Sequence, residues 1–118
     1  MAKNTPFSDI TVLDFSRYLP GGYATQVLAD LGATVIKVED TGLGDFMRHD
    51  YPTKGGGISY YITALGRNKK SVSLNLKNEE VVDWFLKMAQ EADIIVESFR
   101  PGVTAKLGID YESIKKLN

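Results

Sequence analysis

The chain contains no cysteine, which excludes disulfides, thiolate nucleophiles and zinc-thiolate sites and agrees with a reducing compartment. Its only histidine is His49, so no second imidazole is present to build a metal site around it. An excess of one charge is missing too. Fourteen basic and fifteen acidic residues leave a formal charge of -1, too balanced to draw in a nucleic-acid backbone or an anionic membrane. No apolar run approaches the about 18 residues of a membrane span, and Met1-Ala2-Lys3-Asn4-Thr5-Pro6 lacks the apolar stretch and cleavage pattern of a signal peptide. The expectation is a soluble, cytoplasmic protein without a metal, nucleic-acid or membrane partner.

What is present describes a globular domain. The 118 residues are 43% hydrophobic, 25% charged and 10% aromatic, and a chain of this size buries roughly two-thirds of its unfolded surface around one core. No repeat, low-complexity tract or internal linker divides it.

Ile10-Thr11-Val12-Leu13-Asp14-Phe15 is short, β-branched and apolar and reads as a first strand, with Pro20-Gly21-Gly22 as a turn after it. Ala24, Val27, Leu28 and Leu31 recur at helical spacing from Tyr23 to Leu31, and Gly32 stands where a carboxyl-terminal cap belongs. Thr34 to Glu39 gives a second strand, and strand, helix, strand closes as a right-handed parallel crossover. Residues 40–57, with Gly42, Gly44, Pro52 and Gly55-Gly56-Gly57, read as a long loop of the kind that is usually functional. Ile58 to Leu65 predicts a short helix ending at Gly66, and Ser71 to Leu76 a half-buried strand. Asn78 predicts a helix amino-terminal cap, with Glu79 and Glu80 in the first turn and Val81, Val82, Phe85, Leu86, Met88 and Ala89 facing inward. Asp93 to Glu97 predicts a further strand, Pro101-Gly102 opens a short helix, and Tyr111 to Leu117 is helical in pattern. The fold class is therefore α/β, a Rossmann-like parallel sheet with flanking helices. Four strands with so few helices leave apolar surface uncovered, so the sheet reads as incomplete.

Chemistry-bearing residues are sparse. Ser16-Arg17-Tyr18-Leu19-Pro20-Gly21-Gly22 joins a strand to a helix, where backbone amides and the helix dipole can hold an anion, or the glycines serve only a tight turn. Arg67, Lys69, Lys70 and Lys77 surround the third strand and suit either ligand phosphates or a lysine-protected sheet edge. Ser98-Phe99-Arg100-Pro101-Gly102 follows the last strand, where ligands of open α/β sheets bind. Phe99 there is a stacking platform or a core plug, and Arg100 a phosphate grip or a surface charge. Glu39 ends the second strand, where a dinucleotide fold reads a ribose, but G-x-G-x-x-G is absent, as is the Walker pattern. Asp14, Asp45 and Asp50 are carboxylates without a nucleophilic setting, Asp45 being most economically a loop partner for Arg48. His49 reads as a lone surface histidine.

In order along the chain, Val12-Leu13-Asp14-Phe15-Ser16-Arg17, Ala24-Thr25-Gln26, Leu28 to Ala33, Val35 to Glu39, Gly44-Asp45-Phe46-Met47-Arg48, Asn68 to Val72, Leu74-Asn75-Leu76-Lys77, Ala92 to Gly102 and Leu107-Gly108 resemble the class III CoA-transferases. The resemblance covers nearly the whole chain. It implies that residues 1–118 are the amino-terminal part of a CoA-binding large domain, with Leu19, Pro20, Leu74, Lys77, Ser98, Phe99, Arg100 and Lys106 at CoA-contacting positions. Asp40 falls where some members place an arginine, Lys106 replaces a commoner arginine and Ser98 a commoner asparagine. The implied activity is transfer of CoA from an acyl-CoA donor to a carboxylic acid through an aspartate nucleophile expected beyond Asn118, so the chain alone is expected to be inactive. The implied assembly is an interlocked homodimer. The racemase branch of the same family, and a non-catalytic CoA-binding module or split half, are the alternatives.

Overall fold

The computed structural model describes residues 4–50, 53–54 and 57–118. Strand β1 (Thr11–Asp14), helix α1 (Tyr18–Asp30) and strand β2 (Thr34–Glu39) form the opening unit, and β1 lies parallel to β2 from Thr11 beside Thr34 to Asp14 beside Lys37. A 3-10 turn (Phe46–Arg48) and a small antiparallel ribbon of β3 (Thr53–Lys54) and β4 (Ile58–Ser59) precede helix α2 (Tyr60–Leu65). Strand β5 (Lys69–Ser73), helix α3 (Glu79–Glu91), strand β6 (Ile94–Val96) and helices α4 (Val103–Lys106) and α5 (Tyr111–Lys115) complete the order. The main sheet runs β5-β2-β1-β6, all parallel. Numbered along the chain, its strands stand 3-2-1-4, the order that opens the doubly wound nucleotide folds.

Several boundaries differ from the sequence pattern. Helix α1 begins at Tyr18, not Tyr23, so Pro20-Gly21-Gly22 lies inside it. Proline is tolerated in a first turn because N–H groups there have no helical partner. At Gly21 any Cβ would collide with the Ser16 side chain, so the glycine serves close packing of helix on loop. Strand β5 starts at Lys69 because it pairs along β2 from Val35 to Glu39. Leu74 leaves the sheet after a last bond from its N–H to the Glu39 carbonyl (2.8 Å). Ile58 and Ser59 pair with β3 instead of beginning a helix, and the Ser59 hydroxyl caps α2 by accepting from the Tyr61 N–H (3.2 Å). Helix α5 stops at Lys115. The long loop holds the 3-10 turn and β3, while Pro52, Gly55 and Gly56 lie outside the described residues.

The sheet has two unlike faces. On one, Leu13, Phe15 and Val38 pack against Phe85 and Ala89 of α3, with Ala92 and Ile109. The Phe15 and Phe85 rings meet edge to face, 4.6 Å between centroids. As expected, the Asn78 side chain caps α3 by accepting from the N–H groups of Glu80 (2.9 Å) and Val81 (3.4 Å). Val82, Leu86 and Met88 join Phe85 and Ala89 on its inner face, whereas Val81 lies outside the cluster. On the other face Val12 and Val35 pack against Ala29 and Ala33. Here α1 buries Gly22, Thr25, Gln26 and Ala29, not the predicted Val27 and Leu31, which are exposed. The surface beneath the first half of α1 is polar, so its small and polar side chains turn inward. Tyr23 and Val27 on α1, Leu31 just past its end, Trp84 on α3 and Ile94 on the edge strand β6 remain exposed.

Candidate functional site

On the α1 side the sheet becomes polar toward the carboxyl ends of its strands. Asp14, fully buried, accepts from the Ser16 N–H (2.9 Å) and hydroxyl (2.5 Å), and its other oxygen lies 2.5 Å from the Thr25 hydroxyl and 3.2 Å from Lys69 Nζ. Lys69 also donates to the Gly22 carbonyl (2.9 Å) and to Thr25 (2.7 Å). Burial pushes this ammonium below the usual lysine range, against the opposing pull of Asp14. Lys37 Nζ sits 2.7 Å from Asp45 Oδ2 and donates to the Ser16 carbonyl (3.0 Å). The other oxygen of Asp45, Oδ1, accepts from the Met47 N–H (3.0 Å), capping the 3-10 turn, and from the Tyr18 N–H (3.4 Å).

Glu39 is fully engaged as well. It accepts from Arg48 Nε (2.7 Å) and Nη2 (2.6 Å), the Ser71 hydroxyl (2.7 Å) and the Asp45 N–H (2.9 Å). Burial alone would raise its pKa, but these bonds, led by Arg48, outweigh it and hold the carboxyl at about 2. The predicted Asp45–Arg48 side-chain pairing is thus corrected: Arg48 reaches back to Glu39, and Asp45 turns inward to Lys37. Glu39 has no oxygen left over to read a ribose. The three pairs fasten the segment after β1 and the segment after β2 onto the sheet. Tyr18 marks the tension in the first segment. Its φ of 63° is in the left-handed region, which costs a bulky residue about 1 kcal/mol or more, and its ring stacks on Phe46 at 5.5 Å.

Beyond these strand ends lies a cleft of about 350 Å³ lined by Phe15 and Arg17 after β1, Val38 and Glu39 at the end of β2 and Asp40 after it, Leu74 to Lys77 after β5, and Phe99, Val103 and Leu107 after β6. Its walls are apolar and aromatic and its cations are Arg17 and Lys77. Arg17 donates its N–H to the Ser98 hydroxyl (2.9 Å), and its guanidinium lies 5.4 Å from the Phe46 and Phe99 ring centroids and 3.3 Å from Asp40. Glu97 accepts from the Phe99 N–H (2.7 Å), fixing the turn that carries that ring.

Of the predicted site residues, the structure brings Leu74, Lys77 and Phe99 together in this cleft. Ser98 holds the Arg17 backbone at its edge, while Leu19 and Pro20 in the first turn of α1, Arg100, and Lys106 at the end of α4 are exposed outside the lining. The basic cluster separates. Lys69 is buried under α1, and Arg67 binds Asp30 (2.6 Å) at the opposite end of β5. Only Lys77 of the four reaches the cleft. Leu76, Val103 and Leu107 were not singled out by sequence, and neither was Arg17 beyond its place in the loop. His49 is exposed, its Nε2 2.9 Å from the Leu43 carbonyl. A larger hollow, about 500 Å³, runs along β6 between α3 and α5 and contains none of the predicted contacts. Among the described residues no group of three or more acidic, histidine or cysteine side chains could hold a metal, and no helix is long and apolar enough to cross a membrane.

Residues 7–118 match the description of CoA-transferase family III. The chain belongs to that family. Among curated proteins it is 42% identical over 113 residues to an acetyl-CoA:oxalate CoA-transferase of Acetobacter aceti, covering 96% of this chain and 29% of that one. It is 41% identical over 115 residues to a formyl-CoA:oxalate CoA-transferase of Escherichia coli, covering 98% and 28%. Among solved structures, a CaiB/BaiF family protein from Brucella suis superposes with a TM-score of 0.90 at 37% identity, covering 98% of this chain and 32% of the other. The family III chain described here therefore spans less than a third of the length of these relatives.

Proposed function

We propose that this chain is the CoA-holding portion of an enzyme that moves CoA from a short acyl-CoA to a small carboxylic acid of the oxalate kind. The observation that carries the reading is the cleft itself. Leu74, Lys77 and Phe99, three positions at which the family resemblance implies CoA contact, line one apolar hollow at the carboxyl ends of a parallel sheet. Flat apolar walls suit a heterocycle and Arg17 and Lys77 suit phosphates. The oxalate-directed names of two relatives support the acceptor class.

The transfer proceeds through a carboxylate that attacks the acyl-CoA carbonyl and expels CoA thiolate, giving a mixed anhydride. The thiolate attacks the enzyme carbonyl and releases the donor acid, and the acceptor acid resolves the resulting enzyme–CoA thioester by the same two exchanges in reverse, regenerating the free carboxylate. The family resemblance implies a nucleophile outside these residues. Asp14, Glu39 and Asp45 are buried and tied to cations, and a carboxylate so engaged is a poor nucleophile. The chain's own contribution is binding and orientation.

Calorimetric titration with CoA tests the binding role directly. Saturable binding is expected, weakened about tenfold by Lys77→Ala through loss of a charged phosphate contact. Oxalyl-CoA formation from formyl-CoA or acetyl-CoA and oxalate tests the enzyme in the polypeptide expressed from its own gene. Absence of any CoA binding sinks the proposal. CoA binding with α-proton exchange but no acceptor-dependent transfer moves it to the racemase branch.

A further inference from the structure

Arg17 is the most tightly prepared cation in the cleft, and it already has an anion. Its backbone is held by Ser98, and its guanidinium lies over the rings of Phe46 and Phe99. Asp40, across the mouth, meets it through a single contact of 3.3 Å. Both side chains remain wet, 32% and 40% exposed, and an exposed pair of this kind is weakly held. Asp40 also has another partner: its Oδ1 accepts from the Gly42 N–H at 2.7 Å. The carboxylate can therefore give up Arg17 without being stranded, while the two rings and Ser98 keep Arg17 in place.

We propose that Asp40 is a built-in counter-anion for Arg17 that a ligand phosphate displaces, so that Asp40 sets how tightly the cleft takes phosphate-bearing ligands. The proposal rests on the CoA reading above. A phosphate offers the guanidinium more charge and a bidentate edge where the carboxylate offers one contact. The cost of displacing Asp40, and of leaving its charge beside the phosphate, is subtracted from the affinity. Asp40 is thus an affinity-limiting residue, and Arg17 the anion contact it masks.

The experiment is calorimetric titration of CoA into the wild-type protein, Asp40→Asn, Arg17→Met and the double variant, at low and high salt. Circular dichroism on each checks folding, and Asp40→Ser is the substitute if Asp40→Asn does not fold. Asp40→Asn is expected to bind CoA about two- to fivefold more tightly at low salt, an effect the size of one exposed ion pair. The gain should shrink at high salt and vanish in the Arg17→Met background. Unchanged or weaker binding by Asp40→Asn overturns the proposal. So does a gain that persists undiminished without Arg17, which would make Asp40 a general repulsive charge. If the wild-type protein itself does not bind CoA, the functional reading falls and takes this inference with it. If it binds CoA and Asp40→Asn changes nothing, this inference alone falls.

Discussion

The two faces of the sheet are built on opposite principles. Beneath α3, Leu13, Phe15 and Val38 meet Phe85, Ala89 and Ala92 in an apolar cluster, held by non-directional burial of area from water and tolerant of volume-conserving swaps. Beneath the first half of α1, Asp14, Lys37, Glu39 and Lys69 are buried together as paired charges. Buried pairs contribute little net stability over an apolar replacement, but losing one partner is expensive. The difference shows what each face is for. One holds the domain together; the other holds two loops in fixed positions at the mouth of a cleft, where geometry matters more than stability.

The sharpest way to separate the two is to damage each at its centre. Phe85→Ala should destabilise the fold by about 3–5 kcal/mol through loss of a fully buried ring and the cavity left behind. Lys69→Met should have a comparable effect, about 3 kcal/mol or more, for a different reason: it strands the buried charge of Asp14. Denaturant melts of Lys69→Met with and without Asp14→Asn distinguish the causes. The neutral amide oxygen still accepts from the Ser16 N–H, so the double variant should be more stable than Lys69→Met alone. A double variant no better than the single one would mean that packing, not charge, governs both faces.

A smaller effect should appear on acidification. The carboxyl of Glu39 is held near 2, against an ordinary 4.5. Its folded-state pKa is depressed, so the stabilisation is complete above the unfolded value and is lost as pH falls through the folded one. The window therefore runs from roughly pH 4.5 to 2, and the effect is at most roughly 3 kcal/mol. Glu39→Gln should lower stability at neutral pH and flatten this acid limb. Melts between pH 2 and 6 check it. An unaltered acid limb in Glu39→Gln would assign the dependence to other carboxylates. The apolar face has no counterpart, since nothing in its cluster titrates.

This contrast also explains what could be read from residues alone. The span of β2 and the start and capping of α3 were legible, because an apolar run bounded by turn residues and an asparagine cap before an amphipathic stretch are local signals. The start of α1 was not, because Pro20-Gly21-Gly22 reads as a turn until the close approach of Gly21 to Ser16 is known. Lys69 was misplaced for a related reason. A lysine near a strand edge looks solvated, and only the parallel pairing of β5 with β2 turns it, with Ser71, toward the face that carries Lys37. The period-two run Lys69, Ser71, Ser73 was the available clue. The family resemblance was legible through ordered motifs and put Asp40 where some members place an arginine, yet it could not tell that Arg17 would face the cleft and pair with it.

The smallest expected effect belongs to the apolar side and concerns where its helix begins. Asn78 accepts from two backbone N–H groups, of Glu80 and Val81, while Glu79 and Glu80 place negative charge in the first turn of α3. Asn78→Ala removes the side-chain acceptor but leaves the favourable dipole interaction of the two glutamates, so a loss of about 1 kcal/mol is expected. Because α3 packs mainly through Phe85 and Ala89, more than a turn away, the loss should be confined to fraying of its first turn. Amide hydrogen exchange is the suitable measurement: protection should fall at Val81 and Val82 and stay unchanged around Phe85. If protection dropped along the whole helix, the apolar face would depend on its cap for more than a local start, and the division of labour between the faces would have to be redrawn.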